Sequence, residues 1–150
     1  MVKFAKELET DELSFFDNFD DARDKLSTID LLHTSGTLQY VDNPTKYLSE
    51  VLNCNAKWLL FNRLGMNRSN RDVLTIQSSM LSSNGIGELP EGYTDRLIKY
   101  PFTFLSETKL INQIQEKYLL VAKFDDKSGI YEVKGEDIVG YGLLCKKIGL

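Results

Sequence analysis

The stretch from Ile29 to Pro44, IDLLHTSGTLQYVDNP, constrains the fold of this 150-residue chain more than any other. The apolar run Ile29–His33 leads into a polar turn, and His33 is the only histidine of the chain. Pro is favoured at the first position of a helix, and Asn43 just before it is a good capping residue. The stretch therefore predicts a buried strand, a polar turn and a helix. Open α/β sheets build their binding sites at such strand-to-helix turns.

The remaining apolar runs extend this alternation of strands and helices. Strands are predicted at Glu12–Phe16, Ile29–His33, Ala56–Phe61, Tyr118–Phe124 and Tyr141–Ile148, with Val73–Gln77 either a strand or an extended loop and a small strand at Ile130–Val133. Helices are predicted at Lys3–Leu8, after a cap at Asp17 or Asn18, after Pro44, and at Glu107–Lys117, whereas Ser78–Gly92 is predicted to be a loop.

This order of elements predicts an α/β fold. We expect residues 1–150 to form a single domain, a three-layer sandwich in which Ile29–His33 and Ala56–Phe61 are parallel, adjacent and central. The last two strands, Tyr118–Phe124 and Tyr141–Ile148, have no helix between them. They should therefore form an antiparallel pair at one side of the sheet.

Composition argues against several classes of function. The chain carries 18 basic and 22 acidic residues, whereas a nucleic-acid-binding surface usually shows a basic stripe. No apolar run approaches the roughly 20 residues that span a bilayer, and the first ten residues lack the apolar centre of a signal peptide. One His and two isolated Cys are a poor basis for a zinc site. We therefore expect a cytoplasmic protein that binds no nucleic acid, membrane or metal.

A set of segments, taken in order, resembles the carboxyl-terminal part of a bacterial family of class I S-adenosylmethionine (SAM)-dependent methyltransferases. These segments are LSFFDNFDDA (Leu13–Ala22), DLLHTSGTLQYVDNP (Asp30–Pro44), LLFNR (Leu59–Arg63), LTIQ (Leu74–Gln77), YPFTFLSETKL (Tyr100–Leu110) and YGLLCKK (Tyr141–Lys147). The resemblance covers nearly the whole chain. It implies a partial Rossmann-like sheet that ends in an antiparallel strand pair, with SAM as cofactor and a small molecule as methyl acceptor.

The chain departs from that family at its amino end. Family members place a glycine-rich turn against the methionine part of the cofactor and an acidic residue against its ribose, and this sequence supplies neither. The nearest glycine pair, Gly85-Ile86-Gly87, follows no convincing strand and opens no helix. We therefore expect the chain to be a fragment or a shortened gene product that binds SAM weakly or not at all.

The resemblance implies that Phe16, Asp17, Asn18, His33 and Ser35 line the cofactor pocket. Asp17 and Asn18 would accept from the adenine amine, or else simply cap a helix. Phe16 would form a wall for the adenine, or else pack in the core. His33 would face the transferred methyl group and remove a proton from an acceptor hydroxyl or amine, or else be a hydrogen-bonded structural residue.

The acceptor pocket is expected to include Gln39, Tyr40, Arg63, Gln77 and Tyr100. Arg63 would hold an acceptor carboxylate or phosphate through two hydrogen bonds, or else pair with Asp72 and fix the following loop. Gln39 and Tyr40 would point polar groups into the cleft, or else pack the turn.

The edge of the strand Ile29–His33 suggests a second class of function. In the full family fold this strand lies beside a first strand that is absent here, so its edge should be open unless Glu12–Phe16 covers it. The strand has no Pro or Lys to discourage pairing with another chain. We therefore expect a homo-oligomer formed through this edge, and the chain would then be a non-catalytic interaction module.

Overall fold

The computed structural model describes residues 2–85, 87–126 and 132–149 and contains a six-stranded sheet with helices packed against it. The strands are β1 (Leu31–Ser35), β2 (Trp58–Asn67), β3 (Val73–Met80), β4 (Leu97–Ser106), β5 (Tyr118–Asp125) and β6 (Ile138–Lys147). The helices are α1 (Val2–Ala5), α2 (Phe19–Lys25), α3 (Pro44–Asn53) and α4 (Glu107–Gln115), with 3₁₀ turns at Lys6–Leu8, Leu38–Tyr40 and Leu81–Asn84.

Strand β2 is the centre of the sheet because it pairs with three other strands. Its first half is parallel to β1, and its last two residues are parallel to β4. Along its other side runs β6, which is antiparallel to it. β5 is antiparallel to β6, and β3 and β4 form an antiparallel ribbon. The resulting path is β3-β4-β2-β6-β5, with β1 beside the first half of β2.

The predicted mixed α/β architecture is confirmed. The two strands expected to be parallel, adjacent and central are β1 and β2, joined through α3. They are parallel and adjacent, but only β2 is central, because β1 pairs with no other described strand than β2. The two strands expected to close the chain as an antiparallel pair are β5 and β6. The last strand of the chain lies inside the sheet, between β2 and β5.

Helices α2, α3 and α4 lie side by side on one face of the sheet. The Gln113 side chain on α4 donates to the Thr45 carbonyl at 3.1 Å, and the rings of Phe19 on α2 and Tyr47 on α3 are 5.5 Å apart. Between these helices and the sheet lies the core, which includes Leu38, Leu48, Val51, Leu52, Leu59, Phe61, Leu64, Met66, Leu110, Ile114, Tyr118, Leu143 and Cys145. Two of the three expected layers, the sheet and one layer of helices, are therefore present.

The second face of the sheet exposes apolar side chains. Leu31, Trp58, Lys146 and Leu119 form one row across β1, β2, β6 and β5. Leu31 is 51% exposed and Leu119 is 59% exposed. Helix α1 and the 3₁₀ turn after it bury none of their side chains. Among the described residues, no helix therefore provides the third layer.

Two helices begin as the sequence predicts. The Asn43 side chain accepts from the Lys46 N–H at 2.9 Å, and Pro44 occupies the first turn of α3. Asn18 accepts in the same way from the Asp21 N–H at 2.9 Å, so it is the residue that caps α2. Helix α3 buries three apolar side chains, whereas α2 buries none completely.

The prediction of a strand at Glu12–Phe16 is wrong. The side chain of Thr10 accepts from the N–H groups of Glu12 and Leu13, and the Glu9 carboxylate accepts from the Phe15 N–H. Side chains close in sequence thus hold the N–H groups that a strand would need for pairing.

The prediction for the region after residue 73 is also incomplete. β3 continues to Met80 and is followed by a 3₁₀ turn, so the predicted loop begins too early. β4 is not among the predicted strands, and it contains Pro101, a residue that is unfavourable inside a sheet. Pro101 is tolerated because β4 pairs there with β3 alone. Of the small strand predicted at Ile130–Val133, residues 130 and 131 lie outside the described residues, and Glu132 and Val133 are not in a strand.

Candidate functional site

Strand β1 ends beside a bulge in the middle of β2. After β1, Gly36 has a φ of 63°, and its N–H donates to the Asn62 carbonyl at 3.0 Å. In β2 the pairing with β6 shifts register between Phe61 and Leu64, and Arg63 there has a φ of 56°. This left-handed conformation is uncommon for a residue other than glycine. We call this place, where residues 35–36 meet residues 62–63, the strand junction; the carboxyl end of a parallel strand is the usual place for a binding site in an open α/β sheet.

Gln39 fixes the backbone of the strand junction. It is only 3% exposed, and its Nε2 donates to the Arg63 carbonyl at 2.6 Å. The Arg63 N–H in turn donates to Oδ2 of Asp126 at 2.6 Å. Both peptide groups of Arg63 are thus held, while its side chain is exposed.

The predicted alternative of an Arg63–Asp72 pair is wrong. Asp72 instead accepts from the Ser106 N–H at 2.7 Å and lies 3.9 Å from the Lys109 ammonium group. Within the described residues, no carboxylate lies within ion-pair distance of the Arg63 guanidinium. That cation is therefore available to an anion in solution.

Three buried polar atoms on residues in or near the strand junction have no hydrogen-bond partner in the described part of the chain. They are Oγ1 of Thr34, Oε1 of Gln39 and Oδ1 of Asn62. Because Nε2 of Gln39 donates to Arg63, the unpartnered atom of its amide is the oxygen, an acceptor. Buried polar groups are nearly always paired with protein or water, so these atoms are suited to accept from a water molecule or a ligand.

The residues predicted for the acceptor pocket form two groups. Gln39 and Arg63 are hydrogen-bonded to each other, as described above. The ring of Tyr40 lies 5.9 Å from that of Tyr100, and Gln77 lies opposite Tyr100 in the β3–β4 ribbon. Tyr40 directly follows Gln39 in the same 3₁₀ turn and so connects the two groups. Their role in binding an acceptor stays a prediction.

The residues predicted for the cofactor are divided between two places. Phe16, Asp17 and Asn18 line a cleft of about 790 Å³ beside α2 and α3, together with Phe19, Asp20, Ala22, Arg23, Tyr47, Glu50 and Asn53. His33 and Ser35 are exposed on β1 and do not line this cleft. The amide of Asn18 is engaged with the backbone and side chain of Asp21, as its alternative role as a cap requires.

The cleft fits one end of SAM. Its half-buried aromatic rings and the exposed Asp17 carboxylate suit an adenine with its exocyclic amine. The described residues contain no glycine-rich turn that would suit the methionine end. Gly36 is a single glycine in the turn after β1, and no second glycine accompanies it.

A charged group at the start of α4 was not predicted. Nζ of Lys123 lies 3.7 Å from the centre of the Tyr141 ring and donates to Glu107. Burial lowers the pKa of Lys123, but the hydrogen bond and charge of Glu107 outweigh it, so the pKa lies above its ordinary value. Glu107 and Lys123 lie on different elements, and no local sequence pattern connects them.

Few known proteins match this chain. No protein-family model and no curated protein matches the sequence. One solved structure with a similar arrangement is described as an S-adenosylmethionine-dependent methyltransferase from Clostridium acetobutylicum ATCC 824. The identity is 13% and the TM-score 0.45, over 79% of this chain and 58% of that chain. This likeness is too distant to assign a reaction or a residue.

Among the described residues, no helix is both long and apolar enough to cross a membrane. Nor do three or more His, Cys, Asp or Glu residues come together there in a way that would hold a metal ion.

Proposed function

We propose that this chain forms the acceptor-side part of a class I SAM-dependent methyltransferase, with a small-molecule acceptor held at the strand junction. The observation that carries the proposal is that Gln39, whose buried Oε1 has no partner, and Arg63, whose guanidinium has no ion-pair partner among the described residues, adjoin there next to Gly36. The parallel β1–β2 pair and the antiparallel final strand agree with the family that the sequence resembles.

The residues at and near the strand junction have separate roles in this proposal. Arg63 holds an anionic group of the acceptor, and Gln39 accepts from its N–H or O–H group. His33 removes the proton of the attacking hydroxyl or amine. Methyl transfer depends mainly on alignment of the reacting groups, so rigid support of the acceptor is the main contribution of this half.

The cofactor contacts in this proposal are limited to the cleft beside α2. Phe16 and Asp17 contact the adenine there, and the methionine end has no counterpart among the described residues. We therefore expect the isolated chain to bind SAM weakly or not at all.

The test is a titration of the isotope-labelled chain with millimolar S-adenosylhomocysteine, followed by amide NMR. We expect small shifts that cluster at residues 16–18 and that Asp17→Asn removes. Asp24→Asn is the matched control, because Asp24 is exposed on α2 but does not line the cleft. Shifts elsewhere, or shifts that Asp17→Asn does not remove, contradict the assignment of the cleft.

A calorimetric titration with SAM tests the strength of binding. Low-micromolar affinity would show that the missing glycine turn is not essential. Where methyl transfer is measurable, His33→Ala should lower turnover more than affinity, and unchanged turnover removes His33 from the proposed mechanism.

A second candidate function is that of a non-catalytic interaction module. One observation favours it: among the described residues, β1 pairs only with β2, and Glu12–Phe16 does not cover its other edge. An unpaired edge can add a strand from another chain. Light scattering on the dilute protein distinguishes a 17.1 kDa monomer from an oligomer.

A further inference from the structure

We propose that two copies of this chain pair through β3, in antiparallel orientation, about a two-fold axis that passes next to Gln77. This proposal does not depend on the proposed function. It concerns the β3 edge of the sheet and not the β1 edge.

The first observation is the chemistry of the edge. β3 pairs with β4 on one side and with no other described strand. Its eight residues, VLTIQSSM, include no charged side chain and no Pro. Proteins commonly protect an exposed edge with Lys, Pro or a short strand, because an unprotected edge pairs with other chains. β3 has none of these protections.

The second observation is the alternation of exposure along the strand. The odd-numbered residues, from Val73 to Ser79, are half-buried, and the even-numbered residues are exposed. On the exposed side Leu74, Ile76 and Met80 are 68%, 65% and 40% exposed, and Leu97, opposite Met80 on β4, is 60% exposed. The ribbon therefore presents a stripe of apolar side chains to solvent.

A second copy of this chain fits both observations. Its β3 edge is also uncharged along its whole length, so two such edges can pair without repulsion between like charges. Side chains directly opposite each other in an antiparallel pair lie on the same face. If Gln77 of one copy lies opposite Gln77 of the other, Leu74 lies opposite Met80 of the partner and Ile76 opposite Ser78. This register joins the two apolar stripes into one surface.

Moving the register by one residue would place the exposed side of one copy beside the half-buried side of the other. The two-fold at Gln77 also brings together two amide side chains, which can donate to and accept from each other. Since pairing along residues 74–80 gives a small interface, we expect micromolar dissociation rather than a permanent dimer.

The edge of β1 is the weaker alternative. β1 has five residues, against eight in β3. A charged pair, Asp30 with Lys57 at 2.6 Å, lies at its start. A substitution on each edge separates the two possibilities.

The first experiment is sedimentation velocity over a range of concentrations, with circular dichroism to establish that each variant folds. The wild type should form a dimer as concentration rises. Ile76→Lys should weaken the dimer by about tenfold or more, because it places a charge on each copy at the pairing edge. Leu31→Lys, an exposed position on β1, should leave it unchanged. A wild type that stays monomeric, or a dimer lost only in Leu31→Lys, overturns the proposal.

The second experiment tests the register by cysteine cross-linking. Opposed Cα atoms in an antiparallel pair lie about 5 Å apart, within disulfide range. Gln77→Cys should therefore form a covalent dimer under mild oxidation. Thr75→Cys is the matched control, because two copies of residue 75 would lie about 13 Å apart. The native Cys54 and Cys145 are buried. Equal cross-linking at residues 75 and 77, or none at 77, contradicts the register.

Discussion

At the scale of single residues, Gly36 has a conformation that other residues adopt only with strain. Its φ is 63°, and its N–H ties the end of β1 to Asn62. A Cβ there would meet only ordinary contacts, the nearest at 3.7 Å, so the cost of a side chain comes from the backbone. We expect Gly36→Ala to lower the free energy of unfolding by about 1 kcal/mol.

Urea denaturation measures this change, and Gly85→Ala is its matched control. Gly85 has no atom within 4 Å of an added Cβ and does not have a positive φ. Its substitution should leave the midpoint unchanged. Equal effects of the two substitutions would show that the turn after β1 adapts freely.

Tyr118 and Cys145 make the stability fall at high pH. Burial raises the pKa of Tyr118 from 10.0 to about 12 and that of Cys145 from 9.0 to about 11. Each group stays neutral in the folded protein after it has ionised in the unfolded chain. Their contribution is complete below pH 9 and is lost as pH rises from about 9 to about 12.

Tyr118→Phe separates the tyrosine from the rest of this pH dependence. The substitution removes the hydrogen bond of 2.9 Å from the Tyr118 hydroxyl to the Ala56 carbonyl, which should cost about 1 kcal/mol near neutral pH. It should also make the loss of stability between pH 10 and pH 12 shallower, as followed by thermal melts. An unchanged pH dependence of stability in this range would mean that Tyr118 ionises as readily in the folded protein as in the unfolded chain.

Sequence reasoning located the part of the candidate site that depends on residues close together in the sequence. Gln39 and Tyr40 follow one apolar run and Arg63 lies just after another, Ala56–Phe61, so their shared level in the fold was predictable. The Arg63–Asp126 bond was not, because it joins residues 63 apart in sequence. The Lys123–Glu107 pair was missed for the same reason.

At the scale of elements, α3 and α2 share the same cap but differ in what they bury. Asn43→Ala should lower the global free energy of unfolding by about 1 kcal/mol, because α3 packs Leu48, Val51 and Leu52 into the core. Asn18→Ala should change it less, because α2 buries no residue completely and can open locally.

Hydrogen exchange measured on the same two variants distinguishes local from global opening. Faster exchange confined to α2 in Asn18→Ala agrees with this view. Equal losses of global stability in both variants would show that α2 is part of the cooperative core.

The elements themselves show which patterns suffice for prediction. Helix α3 was predicted from its cap, Pro44 and an apolar stripe, and all of these act within the helix. β4 is not among the predicted strands, and only its pairing with β3 explains why it tolerates Pro101. Glu12–Phe16 has the apolar content of a strand, but its N–H groups are held by Thr10 and Glu9.

At the scale of the whole molecule, β6 joins two parts of the sheet. It pairs with β2 on one side and β5 on the other, and it contributes Leu143 and Cys145 to the core. We expect removal of residues 138–150 to abolish cooperative unfolding, as judged by near-ultraviolet circular dichroism and calorimetry. Removal of residues 2–8, which bury no side chain, is the control and should preserve the transition. A cooperative transition in the shorter chain would show that β2 folds without β6.

The place of β6 also determines when the chain can fold during synthesis. A ribosome makes β2 long before β6. Until β6 has been translated and has left the exit tunnel, one edge of β2 has no partner. The nascent chain therefore completes its sheet only after β6 emerges, and slow translation between the two strands would prolong its need for a chaperone.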